Sequence, residues 1–502
     1  MAGMVDSLVY GFSVSLTPWN LLACLVGAVV GTIIGVLPGL GPVATMSLLL
    51  PLTLRMGPTP AIILLSGVFY GAMYGGSTTA ILLNIPGEAS SVVSCVDGYQ
   101  MAQKGRAGPA LAICAWGSFV AGTIGVIGIT LLAPPLAELA LAFGPPEITA
   151  VLVLSFTLVI VFAGGSRARA ACMALLGFLL AAVGQDPVDA TPRFDFRTFT
   201  LLDGVGFAPL VIGVFGIAEV LANLGNRGAP ERYRGRITGL WPTREDWKTA
   251  GPAIGRGGLL GFFMGILPGM GTIIPTFLSY ALERRLSGHP ERFGHGAIEG
   301  LAGPESANNA ATAGSMIPLL ALGIPPSAAV AVLAAGFLTH GVPPGPLLIA
   351  EHPDLFWGVV TSMYTGNVLL LLLNLPLVGL WVRLLTIPYS YLFPLILLFC
   401  AIGTYSVANN PWDVFLMAVF GLLGYVMRRL DFPAVPLILT FVLGRLFEEA
   451  VRQSLARSRG SFAVFIAHPI ALVTWALTAL VILVPLVAAA RRALVGRGEG
   501  RP

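Results

Sequence analysis

Several stretches of the chain contain no Asp, Glu, Lys or Arg and are each long enough to cross a lipid bilayer. Examples are residues 107–137, 363–382, 386–412 and 462–490. A helix needs roughly 20 apolar residues to span the hydrocarbon core. Only 10% of the 502 residues are charged, whereas a soluble domain carries about 25% charged residues. The chain is therefore predicted to be an all-α integral membrane protein whose apolar side chains face lipid.

Several functional classes lack their sequence signatures here. No GxxxxGK[ST] motif is present, so the chain is not expected to hydrolyse ATP. The five cysteines contain no CxxC pair, and the five histidines show no metal-ligand spacing. We therefore expect a protein that is not an enzyme and that has no cofactor other than a coupling ion.

The motif GxxxGxLPGxG occurs twice, at residues 31–41 and 261–271. Further matching pairs follow in the same order in the two halves. They are Gly76-Ser77 with Gly314-Ser315, Ile85-Pro86 with Ile324-Pro325, Trp116-Gly117 with Trp357-Gly358, and Glu219 with Glu448. We interpret this order as an internal duplication.

Each half is predicted to contain one apolar hairpin, bending at its Pro-Gly, and five spans. With one last helix, the chain has about 11 spans plus two hairpins. The first-half spans lie near 59–86, 109–133, 147–163, 170–184 and 207–223. The second-half spans lie near 300–325, 356–382, 386–402, 412–427 and 433–447, and the last span lies near 462–488.

This division places 21 of the 28 basic residues on one side of the membrane, which should be cytoplasmic. Five spans is an odd number, so the two repeats have inverted topology, as is common in secondary transporters. The predicted regions are a first membrane repeat, 1–224; a cytoplasmic linker, 225–256; a second membrane repeat, 257–455; and a final transmembrane helix with a basic cytoplasmic tail, 456–502.

The two LPGxG sequences lie inside apolar segments that a helix cannot cross undisturbed. One interpretation is a re-entrant hairpin whose tip, at Gly39 or Gly269, offers backbone N–H groups to an anion. The other interpretation is a tight turn between two full spans. The sequence leaves both open.

Each hairpin is followed by a segment rich in hydroxyl and amide side chains. In the second half, Glu305, Asn308 and Asn309 form a candidate Na⁺ site, because Na⁺ prefers oxygen ligands and ionisable groups within a membrane are usually functional. Alternatively, Glu305 is an interfacial residue at a helix end. Glu88 and Asp97 are interpreted as loop residues.

Five segments resemble the large membrane subunit of the tripartite tricarboxylate transporters, the TctA-like proteins. They are GxxxGxLPGLGP at 31–42, YGGSTTAILLNIPGE at 74–88, PLVIGVFGIAEVL at 209–221, LPGMG at 267–271 and PESANNAATAGSMIPLLALGIP at 304–325. The similarity extends over essentially the whole chain.

The resemblance implies a carrier of organic carboxylates in the bacterial inner membrane, driven by a gradient of Na⁺ or H⁺. It also implies two partners, a small TctB-like membrane subunit and a periplasmic TctC-like solute-binding protein. The implied substrate site comprises Pro38, Gly39, Gly41, Gly75, Gly76, Ser77, Thr78, Thr79, Asn84, Pro268, Gly269, Gly271, Ser306, Gly314 and Ser315. The alternatives are a channel, or a scaffold subunit without coupled transport of its own.

Overall fold

The structure is a computed structural model that describes residues 2–37, 41–163, 166–186, 189–223, 239–384 and 389–496. Within these ranges the chain is almost entirely helical. The strands found there are two residues long, β1 (Gly184–Gln185) and β2 (Pro192–Arg193), and they pair antiparallel. The prediction of an all-α protein is confirmed.

Ten helices precede the central segment, which lies outside the described residues at 224–238. They are α1 (Ala2–Ser15), α2 (Pro18–Val36), α3 (Pro42–Thr53), α4 (Pro58–Leu83), α5 (Val92–Gln103), α6 (Ala107–Ala140), α7 (Pro145–Phe162), α8 (Arg167–Ala181), α9 (Phe207–Val211) and α10 (Ala218–Asn223). A π-helical turn, Ile212–Ile217, joins α9 to α10.

The remaining helices begin at Arg244, inside the segment that was predicted to be a linker. They are α11 (Arg244–Gly265), α12 (Ile273–Leu286), α13 (Ile298–Gly314), α14 (Met316–Leu322), α15 (Ala328–Thr339), α16 (Leu348–Glu351), α17 (Pro353–Asn374), α18 (Val378–Leu384), α19 (Tyr389–Ala408), α20 (Pro411–Arg429), α21 (Ala434–Arg457), α22 (Val464–Ala467) and α23 (Pro469–Gly496).

Every predicted span coincides with one helix or with two consecutive helices. Six of the described helices are both long and apolar enough to cross a membrane, namely α2, α4, α6, α7, α17 and α20. The chain is therefore a multi-pass membrane protein. The full number of spans and the inverted orientation of the repeats stay predictions.

The helices form two compact units. One contains residues 1–140 and 206–430, and it includes both LPGxG motifs and both polar segments. The other contains residues 141–205 and 431–502. In the second unit, the β1–β2 hairpin is tied to α21 by Arg193, which donates two hydrogen bonds to Glu448 at 2.8 and 3.0 Å.

Glycines bring α2 and α4 into backbone contact, and the two helices run in the same direction. Gly31 lies against Val68 and Gly71, and one turn later Gly35 lies against Ala72. A Cβ on Gly35 would be only 2.3 Å from the Ala72 carbonyl oxygen. The GxxxG spacing therefore serves helix packing, as predicted.

The same arrangement recurs between α11 and α13. A Cβ on Gly257, Gly261 or Gly265 would lie 2.2–2.3 Å from the carbonyl oxygens of Gly303, Ala307 and Ala311, respectively. These helices also run in the same direction. Each α2–α4 or α11–α13 pair thus places a polar segment beside the helix that ends at an LPGxG motif.

Replacing Gly261 by alanine should separate α11 from α13. The added methyl group has no room against the Ala307 backbone, and such overpacking costs about 1–3 kcal/mol. We expect a lower melting temperature of the purified protein in detergent.

Gly251→Ala is the matched control, because Gly251 lies on the same helix and its added Cβ would meet nothing within 4 Å. Alanine favours a helix over glycine, so this variant should melt at the same or a slightly higher temperature. Equal destabilisation by both variants would contradict the proposed backbone contact.

Candidate functional site

Glu305 lies on α13, with 1% of its surface exposed, and faces α5 and α6. The Ser94 hydroxyl of α5 donates to its Oε2 at 2.8 Å. One turn further along α13, the Asn309 amide donates to Ser118 of α6 at 2.7 Å and lies 3.5 Å from Glu305 Oε1. Ser77 of α4 lies beside the Glu305 carboxylate, and its Oγ is buried without a hydrogen-bond partner among the described residues. Side chains of α4, α5 and α6, together with Asn309 of α13 itself, therefore surround one carboxylate.

A second carboxylate, Glu88, adjoins this group. It caps a short 3₁₀ turn, Ala89–Ser91, and accepts a hydrogen bond from the Ser90 backbone N–H at 2.9 Å. It also accepts from the Asn308 amide at 3.3 Å. Asn308 follows Glu305 by three residues, so the two side chains are neighbours on the helix surface. Asn308 thus contacts Glu88 and lies one helical turn along α13 from Glu305.

Neither carboxylate pairs with a basic side chain within the described ranges. Arginines of this unit form ion pairs with other acidic residues. For example, Arg106 pairs with Asp246, and Arg256 pairs with Glu283. A carboxylate removed from water without a counter-charge is strongly destabilised. A bound cation or proton would compensate for it.

The oxygen atoms present suit a hard cation. Asn308 Oδ1 and Ser306 Oγ are buried and have no hydrogen-bond partner in the part of the chain that the structure describes. Carboxylate, amide and hydroxyl oxygens are the ligands that hard cations take in proteins. The described residues contain no group of three or more His, Cys, Asp or Glu side chains arranged to hold a metal ion.

The second hairpin lies away from Glu305. Gly265 contacts Ala311, which is six residues beyond Glu305, so the end of α11 is displaced by about 9 Å along the helix axis. The turn that follows contains Pro268, with Gly269 and Gly271 at φ of +83° and +56°. The Gly269 N–H donates to the Pro326 carbonyl at 3.0 Å. This N–H therefore has a partner within the protein.

The end of α2, which leads into the first LPGxG motif, contacts the polar segment of α4. Pro38 and Gly39 lie outside the described residues, and Gly41 precedes the first residue of α3. The Thr79 hydroxyl donates to the Val36 carbonyl at 2.6 Å. Gly75 packs against α2, where a Cβ would lie 2.4 Å from the Thr32 oxygen.

The other predicted substrate-site residues have mixed surroundings. Gly76 lies beside Glu88, whose Cγ would be 2.9 Å from an added Cβ. Thr78 is buried within α4, which continues unbroken through this segment, and Asn84 is an exposed left-handed residue at its end. Gly314 packs against the Phe262 backbone, and the Ser315 hydroxyl donates to the Thr312 carbonyl.

The interpretation of Asp97 as a loop residue is wrong. Asp97 is fully buried on α5, and its Oδ1 accepts hydrogen bonds from the backbone N–H groups of Gly294, Gly296 and Ala297 at 2.7–2.9 Å. Its Oδ2 accepts from the Tyr280 hydroxyl at 2.9 Å. The carboxylate thus holds the segment that leads into α13 against α5.

The contributions of Ser94 and Asp97 were missed, although a signal was present. The two residues are three positions apart, which places them on one face of a helix. The polar segment after Asn84 was instead interpreted as a loop.

Replacing Asp97 by alanine should release the segment that leads into α13. Three N–H groups would lose their acceptor; that of Ala297 is buried and those of Gly294 and Gly296 are partly buried. An unsatisfied buried group costs about 1–3 kcal/mol. We expect a large fall in thermal stability and faster hydrogen exchange at residues 294–297. Tyr280→Phe, which removes one of the four hydrogen bonds, should have a much smaller effect; equal effects would contradict this role for Asp97.

The chain is similar to known proteins along most of its length. Residues 21–439 match the family model described as the tripartite tricarboxylate transporter TctA family. An uncharacterized 52.8 kDa protein in the TAR-I ttuC' 3' region of Agrobacterium vitis is 49% identical over 472 residues, which cover 94% of each chain. A second A. vitis protein, from the TAR-II ttuC' 3' region, is 53% identical over 211 residues, 42% of this chain and 87% of the relative. No solved structure matches.

Proposed function

The chain belongs to the tripartite tricarboxylate transporter TctA family, and we propose that it imports organic di- or tricarboxylates across the bacterial inner membrane by coupling to a Na⁺ gradient. In this proposal a periplasmic TctC-like protein delivers the substrate, and a small TctB-like membrane subunit completes the transporter. The multi-pass helical fold agrees with this assignment.

The observation that carries the coupling proposal is the carboxylate pair. Glu305 is buried, Glu88 is half-buried, and Asn308 contacts Glu88 one helical turn along α13 from Glu305. The unpartnered Asn308 Oδ1 offers a further oxygen ligand. We assign the coupling cation to Glu305 and Asn308, with Glu88 as an additional ligand that the sequence did not suggest. Asn309 orients the Glu305 carboxylate through its amide.

The substrate is assigned to the two LPGxG motifs. Helix α3 begins directly after Gly41, and α12 begins two residues after Gly271. Helix N-termini attract anions. Gly271 supports this assignment, because an added Cβ there would meet nothing within 4 Å, which leaves space beside the backbone. A substrate carboxylate would use the N–H groups at these helix starts.

Glu305→Gln should weaken cation binding with little change in shape. Loss of the negative charge removes a ligand contact of about 1.4 kcal/mol, which corresponds to a roughly tenfold higher Na⁺ concentration for half-maximal uptake. The measurement is uptake of a radiolabelled carboxylate into cells as a function of external Na⁺, with choline replacing Na⁺.

Glu299→Gln is the matched control. Glu299 lies on the same helix, one to two turns earlier, and accepts a hydrogen bond from Ser287 at 2.9 Å. Its replacement should leave the Na⁺ dependence of uptake unchanged. The cation assignment fails if Glu305→Gln inserts normally and keeps the wild-type dependence on Na⁺.

Partner dependence is a separate test of the family-based part of the proposal. Cells that express this chain alone should show little uptake of carboxylate. Co-expression of the small membrane subunit and the binding protein should restore uptake, because the binding protein captures the substrate before transport. Full uptake by the single chain would refute the three-component arrangement.

A further inference from the structure

A line of polar side chains runs along the interface of α4 and α17, and we call it the polar seam. On α4 it consists of Thr59, Ser66, Tyr70 and Tyr74. These positions are spaced by seven, four and four residues, so they share one face of the helix. On α17, Asp354 and Asn367 contact α4 directly, and the Ser362 carbonyl is reached through Cys24 of α2, which also contacts Tyr70.

Contacts along the seam are spaced through the depth of the unit. At one end, the Thr59 hydroxyl donates to Asp354 at 3.4 Å. Further along, Cys24 of α2 lies 3.7 Å from the Tyr70 hydroxyl and 3.5 Å from the Ser362 carbonyl. The next contact is the Tyr74 hydroxyl, which donates to Asn367 at 3.1 Å. The two helices therefore run in the same direction along the seam.

The seam leads from an exposed carboxylate to a buried one. Asp354 is exposed at the start of α17. Ser77 continues the same face of α4 beyond Tyr74 and lies beside Glu305. The charge distribution predicts that the start of α4, next to Arg55, lies outside the cytoplasm. The seam would then connect the outer surface with the cation site.

Glycines on neighbouring helices make room for the polar groups of the seam. A Cβ on Gly366 would be 2.4 Å from the Tyr70 hydroxyl oxygen, and one on Gly122 would be 2.6 Å from the Asn367 amide nitrogen. Ser66 Oγ is buried without a hydrogen-bond partner among the described residues. A purely structural interface gains nothing from an unpaired hydroxyl in a membrane interior.

We propose that the polar seam is the route by which Na⁺ travels from the surface at Asp354 to the site at Glu305. This inference rests on the proposed function, since it assumes that Glu305 holds the coupling cation. Hydroxyl, amide and carbonyl oxygens along the seam replace the water lost by the ion, as oxygen groups do in ion-selective pores. No Lys or Arg belongs to the seam, so no positive charge opposes entry.

A route predicts a specific kinetic signature. Removing one oxygen from the route slows both entry and exit of the ion and leaves its equilibrium affinity unchanged. Tyr74→Phe removes one such oxygen. A lost contact worth about 1.4 kcal/mol on the barrier corresponds to a tenfold lower rate.

The experiment is stopped-flow mixing of the purified protein with NaCl, followed by tryptophan fluorescence, with choline chloride as the ionic-strength control. Trp116 lies two residues before Ser118 on α6 and can report the site. We expect Tyr74→Phe to lower the association and dissociation rates about tenfold, with an unchanged dissociation constant.

Tyr364→Phe is the matched control. Its hydroxyl lies 3.0 Å from Thr130 of α6, so the variant also removes an interhelical hydrogen bond made by an α17 tyrosine, but outside the seam. It should keep wild-type rates. Equal rates for wild type and Tyr74→Phe, or equal slowing in both variants, would overturn the route while leaving the Glu305 site intact. Absence of any Na⁺ response in the wild type would overturn the site and the route together.

Cys24 allows a second test that needs no change in the seam. Variants that retain either Cys24 or Cys400 as their single cysteine are treated from outside with a small cationic thiol reagent. Both thiols are buried, with 1% and 0% exposure, but Cys400 lies in an apolar cluster. We expect Cys24 to be modified and Cys400 to be protected. Protection of Cys24, or equal modification of both, would overturn the proposal.

Discussion

Backbone contact between parallel helices is the constraint on which the rest of the unit depends. In lipid, helices gain little by burying apolar side chains against each other, so close packing has to hold them together. The glycines of α2 and α11 allow that approach to α4 and α13. Because the contact fixes the height of one helix against the other, it also fixes where the polar groups of α4 and α13 lie.

The proposed cation site depends on this helix packing. Helix α13 supplies Glu305, Asn308 and Asn309, and none of these side chains is held by its own helix alone. Each one contacts a neighbouring element through a serine or through Glu88. The arrangement places two carboxylates, Glu305 and Glu88, close together. Neither forms an ion pair with a basic side chain among the described residues. A bound cation or a proton would compensate for this buried charge.

Much of the helical framework could be predicted from the sequence, because long apolar runs and basic loops carry strong signals. Each predicted span corresponds to helical structure. The packing of Gly31, Gly35, Gly261 and Gly265 was also evident from their spacing. What could not be predicted were the contacts between distant segments. Asp97 and the residues it binds are about two hundred positions apart, and no local pattern indicates such a pairing.

The antiparallel course of α5 along α13 limits how the protein can change shape. Glu88 contacts Asn308, Ser94 contacts Glu305, and Asp97 contacts Ala297, so the two segments are joined at three successive levels. Sliding one past the other would break all three contacts at once. The three contacts therefore favour movement of the pair as one body, and under the proposed function exposure of the buried carboxylate would require shear at a different helix boundary.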